Sequence, residues 1–371
     1  MKRLKICLVS LTVSPDSADG EAKVVRALFE HLKHQGHDVT LITGMWNKDL
    51  GEPEIIQFNL IKRRFLWVPH FYYKVIKFLR KTNFDIIHAN SAKAALPIIL
   101  AGRTKFLCTI HDFTPFETEL TTIPIERLLI KFVSKRASKI ITVSNFIKTE
   151  FYHYIPKLDK NKIVTIYNGI EEKYKPYPEE AQRLKEKLKI KGPILLYIGR
   201  ITPYKGVKYI IEAYKRVKAE IPTVNLVIGG KPDYLMEKEY VNWNELYNDI
   251  LFTGFLPEDE LAYYFSMGDI FLTYSSSSEG FGLTPLEAIA CGTPVICSSL
   301  TVYREILGNN AIFVPPKDSI KLATKILHLL NNKELGDSMV KNAQTFIKKY
   351  SWNMVGERLE QVYIKFLNSK A

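Results

Sequence analysis

The chain is short of several things, and each shortage narrows what it can be. It has only four cysteines in 371 residues, Cys7, Cys108, Cys291 and Cys297. None forms a C-x-x-C pair and each lies in or beside an apolar run, which argues against a disulfide framework or a zinc knuckle and for reduced core thiols in a reducing cytosol. No apolar stretch approaches the roughly 18 residues that cross a bilayer, so the expectation is a cytoplasmic protein, either dissolved or held peripherally at the cytosolic face of a membrane. The start, Met1 to Leu11, has the basic stub and brief apolar stretch of a secretory leader. It lacks a small-x-small cleavage site and reads instead as a buried first strand. No two aspartates stand two apart, so the Asp-x-Asp motif that holds a divalent ion is missing. After the first apolar run comes Val13-Ser-Pro-Asp-Ser-Ala-Asp-Gly20 rather than G-x-G-x-x-G, which weakens a nicotinamide oxidoreductase reading. There is no low-complexity segment and no short-period repeat.

What is present is an alternation, from end to end, of short runs rich in Ile, Val and Leu with helix-length amphipathic segments. That is the pattern of parallel sheets covered by helices, in a chain too long for one core. Strands are expected at 4–11, 39–42, 86–88, 106–110, 140–143 and 163–166. A second series is expected at 194–198, 225–228, 250–253, 270–272, 294–297 and 311–314. Between them the charged, proline-punctuated stretch 171–193 reads as a connector ending in a short exposed helix. The expected organisation is a first α/β domain over 1–167, a connector at 168–193, a second α/β domain over 194–350, and a closing helix over 351–371 that packs back toward the first. Two doubly wound domains of this kind present the carboxyl ends of their strands across a cleft, where ligands are expected to bind.

Charge is uneven. Residues 1 to 165 hold 26 Lys and Arg against 15 Asp and Glu, a balance of +11; the remaining 206 residues hold 26 against 24, a balance of +2. The first half therefore suits a polyanion or an anionic membrane surface. Within it, Ile61 to Lys81 carries seven cations, no acid and six aromatics, a composition fit for the headgroup zone of a membrane. The same segment is equally an amphipathic helix with its apolar side on a sheet and its lysines in water. No nucleic-acid motif accompanies the charge.

Two stretches carry chemistry. Tyr197-Ile-Gly-Arg-Ile-Thr-Pro-Tyr-Lys-Gly206 ends a strand and delivers Arg200 and Lys205 just ahead of a helix, two permanent cations beside helix-terminal amides, suited to a diphosphate. Glu279-Gly-Phe-Gly-Leu-Thr-Pro-Leu-Glu287 follows a run of serines, with glycines at 280 and 282 that let backbone approach a ligand and amides at Gly282 and Leu283 placed for a phosphate. Thr284-Pro-Leu-Glu287 also spells a capping box, so Glu287 has a purely structural reading. As a carboxylate pair, Glu279 and Glu287 would equally suit a glycoside hydrolase, which leaves Arg200 and Lys205 without a role. A non-catalytic nucleotide-sugar-binding protein is the reading from outside the enzymes.

These stretches, with Gly36-His37-Asp38-Val39, Asp85-Ile-Ile-His88, His111-Asp112, Val143-Ser144, Asn168-Gly169-Ile170, Gly229-Gly230 and Ser351-Trp352, resemble the retaining family 4 glycosyltransferases of the GT-B fold, over nearly the whole chain. The resemblance implies two Rossmann-like domains and a nucleotide-diphosphate sugar as donor substrate, with no cofactor. It also implies that Arg200 and Lys205 neutralise the diphosphate, Glu279 holds sugar hydroxyls, Glu287 the ribose, and His111 lines the transferred sugar. Gly20 stands where family members place small residues near phosphate and acceptor, but in a longer loop. With cations and amides serving the leaving group, no metal site is expected. The acceptor expected from the basic first half is a lipid-linked glycan or polyprenyl-phosphate-linked sugar.

Overall fold

The computed structural model describes residues 3–13, 20–45, 49–61, 66–117, 124–233, 235–246, 248–277 and 279–368. The chain divides into two compact units, Met1–Gly169 with Trp352–Ala371, and Ile170–Ser351. In the first, strands β1 (Lys5–Val9), β2 (Asp38–Met45), β3 (Ile55–Asn59), β4 (Ile86–Ala89), β5 (Leu107–Ile110), β6 (Lys139–Thr142) and β7 (Ile163–Thr165) form one sheet in the order β3-β2-β1-β4-β5-β6-β7. In the second, β8 (Ile194–Ile198), β9 (Asn225–Gly229), β10 (Ile250–Gly254), β11 (Ile270–Thr273), β12 (Val295–Ser298) and β13 (Ala311–Val314) lie in the order β10-β9-β8-β11-β12-β13. Every pairing is parallel. Both sheets are therefore doubly wound, with the strand order reversing between β1 and β4 and between β8 and β11. The central strands read as unbroken apolar runs because helices cover both faces: β4, β5, β8 and β11 are buried at every residue.

Of the thirteen strands among the described residues, twelve fall on expected apolar runs; β3 does not. Its sequence IIQFN mixes polar with apolar residues because it is the outer strand beside β2, with only Ile55 fully buried. An edge strand has one neighbour to satisfy and no need of a continuous apolar run.

The stretch expected to serve as connector is mostly structured. From Ile170 onward it belongs to the second unit, and its helix Pro178–Lys187 buries Ala181 and Leu184. That helix packs on the helix Leu261–Met267, with Tyr177 N–H donating to Ser266 Oγ and the Tyr174 ring meeting Phe265 at 6.0 Å. Charge and proline in the sequence mark its solvated side, not a free tether.

The closing helix Trp352–Asn368 packs on the helix Gly20–His34, and its Val355, Leu359, Tyr363 and Phe366 join the core beneath β1. Spaced at helical intervals, each contributes about 1.5–3 kcal/mol of burial. Several of the resembling motifs meet this helix. Gly169 lies so close to the Trp352 indole that a Cβ would stand 2.6 Å from its Cδ2. His88, at the middle of the sheet, shares hydrogen bonds of 2.7 Å with Tyr363 Oη and with Thr109 Oγ1. Burial first, and then the nearby His111, push its imidazole down to about 3, so it stays neutral. His37 Nδ1 accepts from Leu4 N–H, which leaves Nε2 as the protonated nitrogen facing Glu360 Oε2 at 3.3 Å. Glu360 Oε1 lies 3.3 Å from His31 Nε2, and all three side chains are buried.

Gly356 sits where this helix crosses His31, and an added Cβ would come within 1.9 Å of Nε2. Glycine to alanine in a helix interior is ordinarily stabilising by about 1 kcal/mol. Here the steric term reverses the sign, and we expect Gly356→Ala to lower the urea midpoint by the equivalent of at least about 2 kcal/mol. An unchanged or raised midpoint would show that the helix is not seated as described.

Candidate active site

In a doubly wound sheet, ligands bind beyond the carboxyl ends of the strands where the order reverses. In the second unit that place is between β8 and β11, and both signature stretches emerge there. β8 runs into Gly199 and Arg200 and then the short turn Pro203–Lys205; β11 runs into Tyr274, Ser275 and the loop to Glu279. Two features hold the turn against the loop. Ser276 N–H and Oγ both donate to the Tyr204 carbonyl, at 2.7 and 3.2 Å. Gly206 has φ +68, and a Cβ there would lie 2.1 Å from the Tyr274 carbonyl oxygen, so only glycine permits the approach.

The result is contact between Lys205 and Glu279, Nζ to Oε2 at 2.6 Å, both side chains mostly buried. The same Oε2 accepts from Ser275 Oγ at 3.1 Å and from Tyr303 Oη at 3.2 Å. Burial alone would raise the Glu279 carboxyl, but the Lys205 charge and these donors outweigh it and hold the group below the usual carboxylate range. For Lys205, burial opposes charge, yet Glu279 prevails and raises the ammonium above its ordinary value; the Arg200 charge works the other way. Both groups are thus charged throughout the neutral range. Arg200 itself is exposed, its carbonyl accepting from Tyr197 Oη at 2.8 Å.

The helix Leu283–Ala290 begins immediately after this loop, with Gly282 as its N-cap at φ +90. Thr284 therefore lies inside the helix and the capping box read from Thr284 to Glu287 does not form, because the capping residue has no side chain. Glu287 is 3% exposed, on a helix whose other buried residues are apolar or proline. Among the causes that raise the Tyr174 phenol, burial comes first and the Glu287 charge next.

In the first unit, His111 follows β5, and its Nε2 lies 3.3 Å from Asn90 Oδ1, beyond the end of β4. Asn90 Nδ2 donates to the Glu21 carbonyl at 3.2 Å, which orients the amide and makes His111 Nε2 the donor. The order reversal between β1 and β4 therefore has its own polar cluster, to which the start of the helix Gly20–His34 is tied through Glu21. Gly20 is the exposed first residue of that helix; the loop residues 14–19 lie outside the described residues.

The structure thus brings Lys205 and Glu279 together, sets Arg200 and the Gly282–Leu283 helix start beside them along the chain, and buries Glu287 on that helix. Three participants had no role in the sequence reading. Ser275 was visible only as one of a run of serines, Asn90 as a polar residue after a strand, and Tyr303 as an aromatic in the amphipathic helix Thr301–Leu307, where it looks like core. Among the described residues, no three His, Cys, Asp or Glu side chains gather as metal ligands would.

Comparison with known proteins agrees with this architecture. Residues 18–174 match the model of Glycosyltransferase Family 4, and residues 178–346 match Glycosyl transferases group 1. The alpha-monoglucosyldiacylglycerol synthase of Acholeplasma laidlawii is 26% identical, covering 92% of this chain and 92% of its own. The N-acetyl-alpha-D-glucosaminyl L-malate synthase of Bacillus anthracis is 25% identical, covering 97% of each. The crystal structure of HepE from Anabaena with UDP and glucose superposes with a TM-score of 0.81 at 20% identity, over 97% of this chain and 99% of that one. Two doubly wound sheets, a cation and carboxylate facing each other at the second reversal point, and consecutive matches to both models together identify the chain as a member of the GT-B glycosyltransferases, which use nucleotide sugars.

Proposed function

We propose that the protein is a retaining, metal-independent glycosyltransferase whose second unit binds the nucleoside diphosphate sugar and whose first unit collects a lipid-linked acceptor from an anionic membrane surface. The Lys205–Glu279 contact carries the donor half of this reading. An ammonium has three N–H donors, and only one is engaged by Glu279, so Lys205 can hold the carboxylate and a phosphate oxygen together. Arg200 and the amides at Gly282 and Leu283 complete the anion site, Glu279 accepts from sugar hydroxyls, and Glu287 takes the ribose. His111 serves the transferred sugar from the first unit.

In the reaction, the bond from the anomeric carbon to the diphosphate oxygen breaks while the acceptor oxygen bonds to that carbon on the same face. The electron pair leaves with the nucleoside diphosphate, which takes up the acceptor's proton. Fixed cations facing the departing oxygens lower the barrier without reorganising, and loss of one such contact costs on the order of 3 kcal/mol.

The membrane half is supported by the surface of the first unit. The helix Trp67–Lys81 buries Phe71, Val75 and Leu79 and turns Tyr73, Lys77, Arg80 and Lys81 outward; residues 62–65 of the same basic segment lie outside the described residues. Beside it, across the helix Ala92–Leu100, the helix Pro124–Arg136 exposes Ile125, Leu128 and Phe132, spaced along one stripe with Lys131, Lys135 and Arg136 around them. Exposed apolar groups among cations suit an anionic headgroup layer. Among the described residues no helix is long and apolar enough to cross a membrane. The glycolipid-forming Acholeplasma relative favours a lipid acceptor; the malate-glycosylating relative from Bacillus anthracis favours the second reading, a soluble acceptor.

Three measurements test this. In a panel of nucleotide sugars, the true donor raises the melting temperature by mass action, and Arg200→Ala with Lys205→Ala removes both that shift and at least about 99% of turnover, whereas a chelator leaves turnover unchanged. Turnover surviving the double substitution, or abolished by the chelator, would end the donor reading. Glu279→Gln leaves a mostly buried ammonium without its counter-charge and should lower stability at pH 7 by about 2 kcal/mol. Because the folded carboxyl lies below its unfolded value, that difference persists above about pH 4.5 and shrinks as pH falls through the folded value. In flotation with anionic vesicles, Leu128→Asp with Phe132→Asp should cut recovery severalfold and added salt should lower it further; equal recovery on neutral vesicles would dispose of the membrane half.

A further inference from the structure

Glu279 Oε2 is crowded with donors, and two of them come from outside both signature stretches: Ser275, just ahead of the second, and Tyr303, beyond its end. Tyr303 stands on the helix after β12, is 1% exposed, and donates from Oη to Glu279 Oε2 at 3.2 Å. Its hydroxyl is itself enclosed by Thr273 Oγ1 at 3.1 Å, from the end of β11, and by Ser275 Oγ at 3.3 Å. Since Ser275 and Tyr303 both give their protons to the carboxylate, Thr273 is left as the group that donates to the phenol oxygen. The phenol can be relied on as a donor: burial, and then the Glu279 charge, hold it well above its ordinary value, so it stays protonated.

The ring of Tyr303 does something else. Gly282 sits against it so closely that a Cβ would fall 2.7 Å from Cε1, and Gly282 is in the left-handed region at φ +90. One side chain therefore touches both functional parts of the loop: through its oxygen the carboxylate of Glu279, and through its ring edge the residue that caps the helix Leu283–Ala290. A phenylalanine would keep the second contact and lose the first; a leucine would lose both.

We propose that Tyr303 is a positioning residue of the donor site, fixing the Glu279 carboxylate through its hydroxyl and the Gly282 backbone through its ring, and so setting how the transferred sugar is held separately from how the diphosphate is held. The inference rests on the reading that Glu279 faces the donor sugar.

The test uses the full chain with nucleoside diphosphate alone, with the donor identified by thermal shift, and with both variants. In Tyr303→Phe the ring still supports Gly282, so the Kd for nucleoside diphosphate stays within about twofold of the wild type, while kcat/KM for the donor falls about tenfold, the usual consequence of losing one hydrogen bond to a charged group. The acid limb of kcat/KM moves to higher pH, because a carboxylate that has lost a donor binds its proton more readily. Tyr303→Leu in addition weakens nucleoside diphosphate binding severalfold. The proposal is overturned if Tyr303→Phe matches the wild type in both kcat/KM and acid limb. It is equally overturned if Tyr303→Phe weakens diphosphate and donor by the same factor with the acid limb in place, since that is the behaviour of packing alone. A wild-type protein that binds no nucleotide sugar brings down the donor reading and this inference together, whereas either of the variant results removes only the inference.

Discussion

A single oxygen, Oε2 of Glu279, organises the end of the second unit's sheet where the strand order reverses. An ionised carboxylate inside a protein is tolerable only where donors replace the water it has lost, and here an ammonium and two hydroxyls do so. Those donors come from the turn after β8, the exit of β11 and the helix after β12, so one acceptor ties together the elements that flank the order reversal. Ser276 on the Tyr204 carbonyl and the close approach at Gly206 belong to the same arrangement, since they too hold the Lys205 turn against the loop that carries Glu279.

The first unit also encloses polar groups and pairs them within its core. Its histidines at 31, 37 and 88 are buried, and their partners are a glutamate, a backbone amide, a tyrosine and a threonine. Most of those contacts reach the closing helix Trp352–Asn368. Motifs that looked like a functional set in the sequence therefore separate into two kinds. His37, His88, Gly169 and Trp352 seat a helix remote in sequence, whereas His111 with Asn90 occupies the polar cluster at the first reversal point. A histidine in a motif is not by that fact a chemical group; His88 is held neutral by burial and has both nitrogens engaged.

Surface and core also divide the work of the basic segment. The helix Trp67–Lys81 has an apolar face that belongs to the core and a cationic face that belongs to solvent, so the two readings open at the sequence level describe its two sides. The stripe Ile125, Leu128 and Phe132 differs in kind, because there the apolar residues are themselves outside. Nothing in the spacing of that helix distinguishes it from one whose stripe is buried, and only the packing of Ile130 and Val133 inward reveals which face is which.

By itself the sequence determined the fold class and the two strand series apart from β3, and it marked Arg200, Lys205, Glu279 and Glu287 as candidates. These are written in local terms: apolar runs of strand length, glycines where backbone must turn, and charge placed just before a helix. Tertiary structure decided the rest. It assigned 170–193 to the second unit, placed Gly282 rather than Thr284 at the helix cap, and brought Tyr303 to Glu279, 24 residues away, and Asn90 to His111, 21 residues away. The physical reason is that a parallel sheet gathers the ends of strands distant in sequence, so a partner such as Tyr303, supplied by the next crossover, leaves no local trace of the carboxylate it serves.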